Sequence, residues 1–174
     1  MASYGLHITR GSSLSLHGFT DVDWAGSLDD RKSIGGYLVY LGRTPISWKS
    51  GKQRPVARSS TEAEYKALAD GIAEILWIRA LLSDLYFSSD PMTIIWCDNL
   101  GDTYLSVNPI FHARTKHAEV DYHFVRDRVA KKKIAVLFIS SRDQLADVLT
   151  KPLPHVSFTY FRSKLHVDSS DPSA

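Results

Sequence analysis

Cysteine is almost missing: Cys97 stands alone in 174 residues, which excludes an internal disulfide framework and makes a reducing compartment the simplest setting. An excess of one charge is missing too, because 21 Lys and Arg against 19 Asp and Glu leave a formal net charge of only +2. That balance says little about partners. No apolar run approaches the roughly 18 residues of a membrane span. The start, MASYGLHITRG, lacks the charged-then-apolar order of a secretory signal. The chain is therefore expected to be soluble and intracellular, cytoplasmic or nuclear, monomeric, and without a membrane partner.

What is present suits one domain with a single core: 44% of residues are hydrophobic and 11% aromatic, with no repeat and no linker. Residues 1–13 read as an N-terminal extension, 14–167 as the domain, and the polar DSSDPSA, 168–174, as a flexible tail. Charge is uneven locally. Arg43, Lys49, Lys52, Arg54 and Arg58 occur with no acid until Glu62, and Trp48 sits among them. Such a segment either binds a phosphate backbone or is a solvated loop.

Alternation in LSLHGFTD, Leu14 to Asp21, predicts a strand ending in an acid. GGYLVYLG, Gly35 to Gly42, and TPISWKS, Thr44 to Ser50, predict two more in hairpin succession. Ser59 with Glu62 forms a candidate capping box that opens a long helix, whose apolar face is Ala63, Leu68, Ile72, Ile75, Leu76, Ile78 and Leu82. TIIWCD, Thr93 to Asp98, fits a buried strand ending in an acid. A short helix is expected from Asn99 to Val107, stopped by Asn108 and Pro109. Thr115 to Lys133 follows as a helix with Val120, Phe124 and Val129 facing in, and IAVLFIS is the last strand. RDQLADVLTKPL forms a final helix that Pro152 ends or bends. The fold class is α/β, in the order β-β-β-α-β-α-α-β-α, with a mixed sheet whose first three strands are antiparallel.

Asp21 and Asp98 close two strands that would emerge at one edge if they lie parallel and adjacent, while Glu64 lies in the first turns of the long helix and Asp147 lies in the last. Carboxylates packed together repel and raise one another's pKa, a cost that divalent cations remove. An oxygen-only donor set with no cysteine and no obligatory histidine points to magnesium or manganese, not zinc. Two such ions about 3.5–4 Å apart would activate a water and stabilise the leaving oxygen of a phosphodiester.

Taken together, FTDVDWAG, SSTEAEYKAL, WCDN, NPIFHARTKHAEVDYHFVR and DQLADVLTKPL closely resemble the ribonuclease H domain at the C-terminal end of copia-type LTR retrotransposon polyproteins, particularly those of plants. The similarity runs from about Tyr4 to Val167. The resemblance implies the ribonuclease H fold, a five-stranded mixed sheet flanked by helices. It also implies endonucleolytic cleavage of the RNA strand of an RNA/DNA hybrid, leaving a 3′ hydroxyl and a 5′ phosphate. Carried over by motif, the catalytic and metal-binding residues are Asp21 of FTD, Glu64 of EAEY, Asp98 of CDN and Asp147 of QLADVLTK, holding two Mg²⁺ or Mn²⁺ ions. Asp23 then lies beyond the strand end, ordering a turn or helping to hold a hydrated ion. Glu62 caps the helix, Asp29 and Asp30 form turns, and Asp102 adds negative potential without binding metal.

Nucleic-acid contacts are expected from Arg58, Ser59, Ser60 and Thr61 at a helix N-terminus, although those serines also serve as plain caps. Trp48, beside Lys49, would stack on sugar or base, or belong to the core. The backbone from Asp23 to Gly26 is a further candidate for reading the 2′-hydroxyl. The pattern departs from many ribonucleases H in one place: SSRDQ, Ser140 to Gln144, carries no histidine before the last acidic helix. Slower turnover, or partial substitution by Arg142, is the consequence. His112, His117 and His123 do not share one helical face, which favours structural or surface roles over a metal set. With no separate basic protrusion evident, Lys131 to Lys133 and the 43–58 segment are left to supply the electrostatics. The competing reading is a domesticated module that binds nucleic acid or a protein partner without catalysis.

Overall fold

The computed structural model describes residues 4–8, 14–87, 92–99 and 116–169. A short strand β1 (Tyr4–Leu6) precedes three longer ones, β2 (Leu16–Asp23), β3 (Ile34–Leu41) and β4 (Thr44–Lys52). These three pair antiparallel in succession, as their alternation and short connections require. Helix α1 (Ser60–Asp84) follows, then β5 (Thr93–Cys97), helix α2 (Lys116–Ala130), β6 (Ile134–Phe138), the single turn α3 (Asp147–Thr150), helix α4 (His155–Lys164) and β7 (Val167–Ser169). The main sheet has the order β4-β3-β2-β5-β6, with β5 parallel to both β2 and β6. It is the five-stranded mixed sheet expected from the sequence. β1 and β7 pair separately, joining 4–6 to 167–169.

Each face of the sheet buries its own cluster. Leu68, Ile72, Ile75 and Ile78 of α1 meet Val39 and Ile95 of the sheet and Tyr122 and Val125 of α2. On the opposite face Phe19, Leu38 and Tyr40 meet Ala146 and Leu149 at α3. The sequence expectation for α2 fails at Val120, which is 66% exposed. The helical period turns Tyr122 and Val125 fully inward, and Phe124 and Val129 only partly.

Two boundaries also differ from the sequence reading. β2 continues through Asp23, which pairs with Ile34, rather than stopping at Asp21. The last acidic helix is shorter than RDQLADVLTKPL because the buried Gln144 side chain bonds the Thr20 carbonyl (3.0 Å) and the Ala146 N–H (3.3 Å), holding 144–146 in a turn. α4 was not anticipated at all. The helix expected over 99–107 lies, from residue 100 onward, outside the described residues, as do Asp102 and His112.

Candidate active site

Parallel pairing of β2 and β5 brings the ends of both strands to one edge, and with them Asp21 and Asp98. α3 closes on that edge from the second face of the sheet. The close approach depends on Gly36, the strand partner of Asp21: a Cβ there would sit 2.9 Å from Thr150 Cγ2 and 3.0 Å from Leu149 Cβ. Asp147, first residue of α3, is thereby set beside Asp21. One carboxylate oxygen from each of Asp21, Asp98 and Asp147 lies within 4.8 Å of the others. Glu64 is not in that trio but lines a cleft with Thr20, Asp21, Cys97 and Asp98, reaching it from the second turn of α1 on the other face. Three sequence-distant acids, Asp21, Glu64 and Asp98, therefore line one small cleft, and Asp147 stands beside two of them.

Hydrogen bonds fix the carboxylates. Asp21 is buried, and the Thr150 hydroxyl donates to its Oδ2. Ser141, in the loop after β6, donates to Asp98 Oδ2 at 2.9 Å. Lys151 Nζ lies 3.1 Å from Asp21 Oδ1 and 3.0 Å from Asp147 Oδ1. Burial and the Asp21 charge push the Asp147 carboxyl up to about 6, with Asp98 adding to the effect and Lys151 opposing it. Burial alone would lower the Lys151 ammonium, but the Asp21 and Asp147 carboxylates outweigh it and hold it above the usual lysine range.

Lys151, Thr150, Ser141 and Gln144 were not singled out in the sequence. The signal for two of them was present, since Thr150 and Lys151 stand three and four residues after Asp147, the spacing that shares a helical face. Asp23 does not join the trio. It folds over Gly26, where a Cβ would meet its Oδ2 at 1.9 Å, so its carboxylate belongs to the turn that follows β2.

The residues expected to touch nucleic acid stand around the cleft rather than in it. Ser59 caps α1 by accepting from the Glu62 N–H (3.1 Å), and Glu62 in turn accepts from the Arg58 N–H (2.9 Å), so Glu62 acts at the helix start. Arg58 is exposed, and Ser60 and Thr61 are half-buried in the first turn. Trp48 is 58% exposed on the edge strand, which excludes the core reading. Arg142 is exposed in the loop next to Ser141. Lys49 lines a groove of about 970 Å³ together with Lys52, Arg54 and Lys66. Ala67 borders both groove and cleft. Within the groove Lys49 and Lys66 pair with Asp70 at 3.4 and 3.7 Å, and Lys66 with Asp121 at 3.7 Å. His123 is paired at 3.8 Å with Glu119 on the surface, away from the carboxylates.

No family model matches the chain. It is 48% identical over 171 residues, 98% of its length, to the retrovirus-related Pol polyprotein from transposon RE1 of Arabidopsis thaliana, and it spans 12% of that polyprotein. The chain is a homologue of plant-transposon Pol polyproteins. This Pol homologue has the ribonuclease H fold. The N-terminal RNase H domain of a Mycobacterium tuberculosis protein superposes with TM-score 0.58 at 12% identity, over 87% of this chain and 98% of that one. LC11-RNase H1, crystallised in complex with an RNA/DNA hybrid, superposes with TM-score 0.56 at 14% identity, over 78% of this chain and 93% of that one. Among the described residues, no helix of the Pol homologue is long and apolar enough to cross a membrane.

Proposed function

We propose that the chain is a metal-dependent endonuclease that hydrolyses the RNA strand of RNA/DNA hybrids. The observation that carries this reading is the meeting of Asp21, Asp98 and Asp147 within 4.8 Å, with Glu64 on the same cleft wall. Oxygen donors alone, drawn from both faces of the sheet, suit a hard divalent cation such as Mg²⁺ or Mn²⁺. Asp21, Glu64, Asp98 and Asp147 would hold two ions, which supply water activation and charge stabilisation at the leaving oxygen. The rest of the site keeps those oxygens in place. Thr150 and Ser141 fix Asp21 and Asp98, and the Gln144 tie to Thr20 holds α3 against the sheet.

Substrate binding is assigned to the groove beside the cleft. Lys49, Lys52, Arg54 and Lys66 offer cations along a channel that reaches the acids at Ala67, which suits one strand's phosphates. Arg58 and the N-terminus of α1, with Ser59, Ser60 and Thr61, add donors for a second run of phosphates. Trp48 presents an exposed ring for stacking beside Lys49, and Arg142 lies on the Asp98 side.

The test is a labelled RNA/DNA hybrid incubated with Mg²⁺ or Mn²⁺ beside single-stranded RNA and duplex DNA. Cleavage confined to the RNA of the hybrid is expected. Outer partners of metal ligands typically cost 10–100-fold, so Asp98→Asn at a ligand itself should lose more than ~100-fold. Hybrid binding without cleavage would overturn the nuclease reading in favour of a binding module.

A further inference from the structure

The ammonium of Lys151 lies between two of the carboxylates assigned to metal, 3.1 Å from Asp21 Oδ1 and 3.0 Å from Asp147 Oδ1. It approaches from the turn after α3, and its side chain is about one-third exposed while that of Asp21 is almost fully covered. Lys151 therefore has open space to retreat into, whereas Asp21, held by Thr150, does not. A cation bridging Asp21 and Asp147 would need the oxygens that Lys151 already contacts. Like charges cannot share that place at contact distance.

We infer that Lys151 is a tethered counter-ion that holds the Asp21–Asp147 pair together before metal arrives and must leave those oxygens when a divalent cation binds. The inference rests on the metal assignment above and goes beyond it: the chain carries its own competitor for the site. Lys151 is here a positioning residue. It keeps two buried carboxylates from repelling each other in the empty site, and it sets a threshold that the divalent cation concentration must exceed. A lysine that merely packed against the site would, when removed, loosen the carboxylates and weaken metal binding. A competitor, when removed, must strengthen it.

The test is the affinity of Mn²⁺ for the whole chain, measured calorimetrically without nucleic acid, in the parent, Lys151→Met and Lys151→Arg. With a unit charge removed from contact range, the Kd of Lys151→Met should fall at least ~tenfold, its metal-free melting temperature should drop, and its rise on adding Mn²⁺ should exceed the parent's. Lys151→Arg, which keeps the charge, should stay within about threefold of the parent. Lys151→Met matching or weakening the parent's affinity overturns the inference while leaving the metal site intact. Mn²⁺ binding to neither protein overturns the metal assignment and the inference with it. Should Lys151→Met not fold, lysine-selective carbon NMR of the parent decides: a Cε resonance absent from Lys151→Arg should move saturably on adding Mg²⁺, and an unmoved resonance overturns the inference.

Discussion

Asp147 is ionised at a cost. Its carboxyl, pushed up to about 6 by burial and the Asp21 charge, binds its proton more tightly in the folded chain than in the unfolded one. Metal-free stability should therefore fall as pH rises from about 4 to about 6. Replacing the carboxylate relieves that cost, so Asp147→Asn should melt a few degrees above the metal-free parent at pH 7 while losing more than ~100-fold in hybrid cleavage. An unchanged or lowered melting temperature would show that the Lys151 pairing outweighs the repulsion. His17 has the opposite sign. Burial against Tyr40, whose ring it stacks on at 5.1 Å, and Phe19 lowers its pKa. The unfolded chain then takes up the proton first, so this contribution is complete above about 6.5 and is lost as pH falls below it. Melts at pH 7.5 and 5.5 should show a drop in the parent that is smaller in His17→Phe.

At the scale of elements, the decisive contact is between α3 and β3. Gly36→Ala would drive a methyl into Thr150 and Leu149, and overpacking of this kind costs about 1–3 kcal/mol. Because the same shift moves Asp147 and Thr150, activity should fall by more than the stability loss explains, which kinetics at a temperature well below the melt will separate. Much of this architecture was legible in the sequence. Asp21 and Asp98 end apolar runs whose alternation or burial marks them as strands, and Ser59 with Glu62 announces α1. What was not legible depended on contacts between distant segments. Lys151 and Thr150 meet Asp21 across 130 and 129 residues, and Gln144 meets Thr20 across 124; local spacing places the first two on the face of Asp147 but does not report their contact with β2. α4 escaped because it buries only Phe161 among its residues and leaves Val156 and Phe158 exposed, which blurs the helical apolar stripe. Val120 misled for the converse reason, an apolar residue on the solvent side of α2.

For the whole molecule, a net charge of +2 conceals a division of labour: acids gathered at the ends of β2 and β5, cations along the groove beside β3, β4 and α1. The Lys49–Asp70 pair is exposed and weak, so Lys49 can exchange Asp70 for a phosphate at little cost. Hybrid affinity should consequently fall at least ~tenfold between 50 and 200 mM salt, and Lys49→Ala should flatten that slope. A slope near zero would remove the groove from the binding surface. The acid cleft itself is examined most directly by anomalous diffraction from a crystal grown with Mn²⁺. Density about 2.1 Å from carboxylate oxygens of Asp21, with Asp98, Asp147 or Glu64 completing the shell, is the result expected here. A cleft without anomalous density at saturating Mn²⁺, its carboxylates still held by Lys151, Thr150 and Ser141, would contradict it.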